Sequence, residues 1–152
     1  MTIGTDPAAT ARAILDEGAY MVLATADEEG TPWASPVWYA PDGHASLLWA
    51  SRPEARHSRN IASRPQVGIV IFDSHALIGT GQGVYVEAVA AEVPETELEP
   101  AIAVFSRRSQ AQGGEEWTAA DVRPPAPHRL YRAIASRHFL GARDQRVPVS
   151  LG

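Results

Sequence analysis

Apolar and polar residues change period several times along the chain, and each change marks an element. Over 6–18, "DPAATARAILDEG", apolar residues recur at helical spacing. Asp6 can cap that helix, Pro7 suits its first turn and Gly18 its end. "AYMVLATA" (19–26) is strand-like and is followed by the turn signal "DEEGTP". "WASPVWYA" (33–40) comes next, then the hairpin-forming Asp-Gly pair of "PDGH", then "ASLLWAS" (45–51). These three runs predict an antiparallel meander.

A helix is predicted over 53–63, with Ser51 as cap, Glu54 closing a capping box and Pro65 ending it near Arg64. The almost unbroken apolar run "QVGIVIFDS" (66–74) predicts a central strand, and "GQGVYVEAVAAEV" (81–93) a long one. Leu98, Ile102 and Phe105 keep near-helical spacing within 95–110. Residues 113–127 read as a loop with one helical turn, 128–142 as one or two strands, and 146–151 as an extended tail. Strands joined by tight turns outnumber helices. The expected fold is mainly β, an antiparallel Greek-key-like barrel or sandwich with a few helices, in a single domain over 1–152.

Composition narrows the chemistry. With 152 residues, 45% hydrophobic and 20% charged, the chain has the make-up of an ordinary globular protein. No apolar run reaches the roughly 20 residues of a membrane span, and no leader pattern opens the sequence. A cytoplasmic protein without membrane contact is expected. The absence of cysteine excludes disulfides, thiol nucleophiles and iron–sulfur clusters. All 13 basic residues counted are arginine, so Schiff-base chemistry and a Walker-type lysine are excluded as well. A net charge of -5 argues against a general nucleic-acid binder.

Against that acidic background, "ASRPEARHSRNIASRP" (50–65) gathers four arginines and His57. If 53–63 is helical, its free N–H groups, the Ser51 hydroxyl, Arg52, Arg56 and His57 converge on one place, with Asn60 a turn further along. Arg59 and Arg64 are expected to face solvent. That constellation suits a phosphate, but spacing alone favours a solvated basic face, the usual fate of a charge run.

The segment resembles the phosphate-binding stretch of the pyridoxamine 5'-phosphate oxidase-like family, the FMN-binding split barrels. A strand ends in a small hydroxyl residue, a short helix carries a basic pair, and an Asn- or Arg-rich turn leads to "PxV". Here those parts are Ser51, Arg56-His57, Asn60-Ile61 and "RPQV" (64–67). The order of elements agrees over about 20–93. The resemblance implies a split barrel that binds FMN between two copies of the chain and acts as an FMN-dependent oxidoreductase on a small molecule. It implies a flavin ring along 35–39 and 48–51, addressed near Val37, Trp38, Trp49 and Ala50. It implies a phosphate held by Ser51, Arg56 and His57, and Gln82 reaching the cofactor from the partner. A deazaflavin reductase on the same fold, a non-catalytic flavin- or heme-binding protein, and an interaction barrel remain alternatives. Many relatives carry Arg-Lys where this chain has Arg56-His57. The terminal arginine and histidine that hold pyridoxal phosphate in the true oxidase have no counterpart in "SRHFLGARDQR", so vitamin B6 oxidation is not expected.

His44, His75, His128 and His138 lack metal-ligand spacing. Asp73, Ser74 and His75 are adjacent on an extended segment and cannot align as a triad. Trp33, Trp49 and Trp117 fit core or interface anchors better than cofactor platforms. The flavin would supply the redox chemistry, so no catalytic side chain is named.

Overall fold

The computed structural model describes residues 4–152; the first three, part of the stretch searched for a leader, lie outside it. Helix α1 (Pro7–Glu17) starts as the sequence implies, with Asp6 Oδ1 accepting from Ala9 N at 3.0 Å. Strands β1 (Tyr20–Ala26), β2 (Pro32–Trp38), β3 (Ala40–Asp42) and β4 (Ser46–Ser51) lead into α2 (Arg56–Ser63). Strands β5 (Gln66–Phe72) and β6 (Gln82–Glu92) precede a 3-10 turn at Glu95–Glu97 and α3 (Leu98–Ala111). Pro100 sits in the first turn of α3, where no backbone donor is needed. A second 3-10 turn (Ala119–Val122), β7 (Arg129–Ala142) and β8 (Gln145–Val149) complete the chain. Among the described residues no helix is long and apolar enough to cross a membrane.

All strands pair antiparallel in the order β2-β1-β5-β6-β7-β4-β3, with β8 added to β7. The run expected as 33–40 is therefore two strands, and the meander is corrected. β2 stays on β1, whereas β3 pairs with β4 and β4 pairs with β7. The two ends of the strand order, β2 and β3, are joined only by Tyr39, so the sheet curls round on itself. Alternation then fills the interior. Met21, Leu23, Leu47, Trp49, Val67, Ile69, Ile71, Val84, Val86 and Leu140 point inward, and Ala11 and Leu15 of α1 plug one end. A second apolar layer lies outside β3, β4 and β7, where Leu48 and Leu130 meet Leu98, Ile102 and Phe105 of α3.

Tyr39 makes the crossing possible. Its ring is fully buried, its N–H donates to Ala19 O at 3.1 Å, and its phenol donates to Leu15 O at 2.7 Å. That carbonyl belongs to the last turn of α1, which has no helical donor left for it. Gly18 leaves room for the phenol, since a Cβ there would lie 2.4 Å from the hydroxyl. Burial raises the phenol to about 12, against a weaker opposing pull from Arg108.

Because the folded state raises this acid's pKa, its contribution is whole below the unfolded value near 10. It is lost as pH climbs through about 12. Tyr39→Phe is expected to cost about 1–3 kcal/mol at neutral pH, by orphaning the Leu15 carbonyl, and to flatten the alkaline loss of stability. Urea unfolding at neutral pH and across the alkaline range measures both. Unchanged stability with an unchanged alkaline slope would remove Tyr39 as the anchor.

Candidate functional site

The crossing at Tyr39 leaves a gap in the barrel wall. β3 covers β4 only at Ser46, Leu47 and Leu48. Beyond that point the β4 edge at Trp49, Ala50 and Ser51 has no neighbour on the side away from β7. Along β2, likewise, the edge away from β1 carries no strand. Continuing the register past Ala40↔Leu48 sets Trp38 opposite Ala50. Val37 and Trp38 thus flank the split on one side, and Trp49, Ala50 and Ser51 on the other. Their backbone groups are available to a polar ligand, because neither edge is used in a ladder there.

The side chains of these residues are engaged elsewhere. Val37 packs on the barrel core, and Ala50 on the layer beneath α3. Trp38 meets Phe105 edge-on at 5.1 Å and donates from Nε1 to Gln112 Oε1 at 2.6 Å. Trp49 is fully buried and stacked on Tyr131, with ring centroids 5.9 Å apart. Its indole is a core group, so only the backbone of Trp49 is presented to the split. The alternation of β4 turns Leu47 and Trp49 inward, and Leu48 outward.

The start of α2 departs from the expected capping box. Ala55 N donates to Arg52 O at 3.1 Å, closing a turn with Pro53 at its second position, and the helix begins only at Arg56. Ala55 occupies the cap position without a side-chain bond. Ser51 is engaged with His57 instead, Oγ to Nε2 at 2.7 Å. Burial holds the half-buried imidazole below its ordinary pKa, so it is mainly neutral at neutral pH. The first-turn N–H groups of α2, the Ser51–His57 pair and Arg56 lie together beside the split. Arg52 belongs to the preceding turn and shares no helical face with Arg56.

One stripe of α2 docks on the β1–β2 hairpin. Arg56 lays its guanidinium over the Trp33 ring, 4.1 Å from the centroid. Four residues on, buried Asn60 donates from Nδ2 to Thr25 Oγ1 at 3.0 Å. Four further, Arg64 Nη2 donates to Glu28 O at 2.9 Å. Arg64 therefore ties the helix end to the hairpin rather than facing solvent unbound, while Arg59 is exposed as expected. Trp33 and Thr25 are the site residues that sequence reasoning passed over. The spacing of Arg56 and Asn60 signalled a common face, but Arg64 was not expected on it, and nothing in the sequence named the surface beneath it.

Gln82 is not brought to this place within one protomer. It opens β6 opposite Ala142, whereas α2 meets the other end of that strand, where Ala90 and Ala91 border a cavity with Ser58 and Ile61. Eleven extended residues span about 35 Å. Between the two ends runs an open apolar groove of about 570 Å³ on the outer sheet face, lined by Val22, Ala24, Gly68, Val70, Tyr85 and Phe139. Phe72 and Val89, on the same strands, are about half exposed.

The family model for pyridoxamine 5'-phosphate oxidase matches residues 8–140. A comparison with curated protein sequences finds no match. Similar solved structures include a heme-binding protein from Mycobacterium smegmatis, 23% identical with a TM-score of 0.77, covering 98% of this chain and 60% of that one. This chain thus spans 60% of that protein's length. The heme storage protein HutZ from Vibrio cholerae is 21% identical with a TM-score of 0.68, over 93% of this chain and 95% of that one. An F420 reductase is 19% identical with a TM-score of 0.62, over 84% and 94%. At these identities the likenesses establish the split-barrel fold, and the family match extends over most of the sequence. The chain belongs to the pyridoxamine 5'-phosphate oxidase family.

Proposed function

We propose that the protein is a homodimeric flavoprotein that binds FMN at the split and acts as an FMN-dependent oxidoreductase on a small molecule. The observation that carries this reading is the state of Arg56. Its guanidinium carbon lies over the Trp33 ring, 4.1 Å from the centroid, and the group is in no ion pair among the described residues, so its N–H donors are not consumed by a carboxylate beside the first turn of α2. A phosphate placed there would find charge-assisted donors from Arg56, free backbone N–H groups and the Ser51–His57 pair. The open edges of β2 and β4 supply the donors and acceptors that the planar, polar rim of a flavin ring needs. When bound, the flavin supplies hydride or electron transfer. The chain's own residues anchor the phosphate, orient the ring and shield it from water.

The partner's role follows from the apolar face. Face-to-face packing about a two-fold axis lying in the interface and across the strands buries the groove. It also sets the Gln82 end of one protomer over the α2 end of the other. That arrangement supports Gln82 as a contribution from the partner subunit. A deazaflavin in the same split is the second reading, favoured by the similarity to an F420 reductase.

Arg56→Ala is expected to weaken FMN binding about ten- to a hundredfold, the loss for a charge-assisted hydrogen bond. Riboflavin, which lacks the phosphate, should lose far less, and Arg59→Ala should change little. Flavin fluorescence titrations of the unliganded protein measure all of these. Equal losses for FMN and riboflavin, or none for either, would rule out α2 as the phosphate site.

His57 adds a pH dependence. Its pKa is lowered by burial in the free protein, and a phosphate beside it favours the charged ring. Protons are therefore taken up on binding, and FMN affinity should fall as pH rises through the bound-state pKa of His57. Comparison with His57→Gln separates this from the phosphate's own ionisation near pH 6. Identical pH profiles for the two proteins would remove His57 from the site.

A further inference from the structure

Arginine can be fixed in two ways with opposite consequences for a ligand. A carboxylate partner fixes it by consuming the N–H donors on its edges and cancelling its charge. An aromatic partner fixes it by its flat face and leaves both edges and charge intact. Elsewhere on this protein both ways occur. Arg123 pairs with Glu95 and Glu99, and Arg132 with Glu97. Arg137 pairs with Glu87 and also lies over Phe139, and Arg146 lies over Tyr85. Arg56 is held the second way, on Trp33, at 4.1 Å the shortest of these ring distances.

The carboxylate of Asp27 does not alter this. The charge of Arg56 is felt at Asp27, but Asp27 Oδ1 already accepts from Glu29 N and Thr31 N, each at 2.9 Å, within its own turn. The backbone that carries the indole is itself held, its carbonyl accepting from Thr25 Oγ1 at 3.5 Å. Trp33 stands opposite Thr25 in the β1–β2 ladder, and Thr25 receives Asn60 of the same helical stripe. Trp33 nevertheless keeps 41% of its residue surface exposed, more than the other tryptophans. A large apolar ring left so open at the mouth of a site is accounted for by the cation it carries.

We infer that Trp33 is a positioning residue for anion binding: it holds the Arg56 guanidinium flat, so that the donor edges meet a phosphate without first being ordered. This rests on the reading of α2 as the phosphate site and adds to it the residue that sets the site's affinity for phosphate esters over uncharged analogues. Trp33 makes no contact with the ligand in this account; it acts through Arg56.

The test is a double-mutant cycle on the full-length protein with FMN and riboflavin as probes. Trp33→Leu removes the π face and keeps an apolar side chain. It is expected to weaken FMN about two- to fivefold, as an exposed cation–π contact warrants, and to leave riboflavin unchanged. Trp33→Phe should recover part of the loss. In the Arg56→Ala background, Trp33→Leu should have no further effect, because there is no guanidinium left to position. Thermal unfolding of each variant checks that the fold is kept, and the FMN-to-riboflavin ratio is insensitive to a general loss of folded protein. Additive losses in the cycle, or equal losses for FMN and riboflavin, would overturn the inference while leaving Arg56 as a phosphate ligand. If Arg56→Ala alone leaves FMN affinity unchanged, the phosphate reading fails and the inference fails with it.

Discussion

Between β2 and β3 the chain crosses from one edge of the sheet to the other through a single residue, Tyr39, and the site depends on how that residue is held. Its phenol is bonded to the last turn of α1, its backbone to Ala19, and its ring is buried. With Tyr39 fixed, β2 must remain on β1 and β3 must turn onto β4. One crossing thereby closes the barrel and leaves β2 and the end of β4 apart. The split is the direct consequence of a strand too short to cover its neighbour: β3 has three residues against six in β4. Bare strand edges are normally a liability; here they lie beside a helix that begins with a basic pair.

That helix answers why an acidic protein concentrates arginine in one segment. The arginines have separate tasks. Arg64 reaches back to a hairpin carbonyl, Arg59 is solvated, and Arg56 is parked on an indole with its donors unspent. Lysine could bond a carbonyl, but it lacks the planar face that lets Arg56 be immobilised and still remain available. Docking of the helix and readiness of the site are the same set of contacts, since Arg56, Asn60 and Arg64 all lie on the face that meets the β1–β2 hairpin.

Much of the architecture was legible because it depends on local period and punctuation. Asp6, Pro7 and Gly18 bound α1, and the apolar run at 66–72 lies between β1 and β6 as a buried strand. Ser51 was misread as a helix cap, because Pro53 fits a turn as well as a first helical residue, and only the Arg52–Ala55 bond decides between them. Within 128–142 a single strand, Arg129–Ala142, forms despite a break in its pattern. The break is a bulge at Ser136, whose hydroxyl donates to Glu87 O. The tryptophans show where sequence runs out. Trp33, Trp38 and Trp49 are alike in type, yet one carries a cation, one packs under α3 and one fills the barrel. Strand parity and distance from the split decide among them, and neither is local. The role proposed for Gln82 belongs to the same class, since it is defined only relative to a second copy.

The central claim is that the split and α2 form half of a cofactor site completed by a second protomer. Native mass spectrometry of the protein as purified tests it most directly. The account predicts a dimer carrying one phosphate-bearing flavin per protomer, with the cofactor lost when the dimer is dissociated in the gas phase. A monomer that retains its flavin, or a dimer that carries heme in its place, would contradict it.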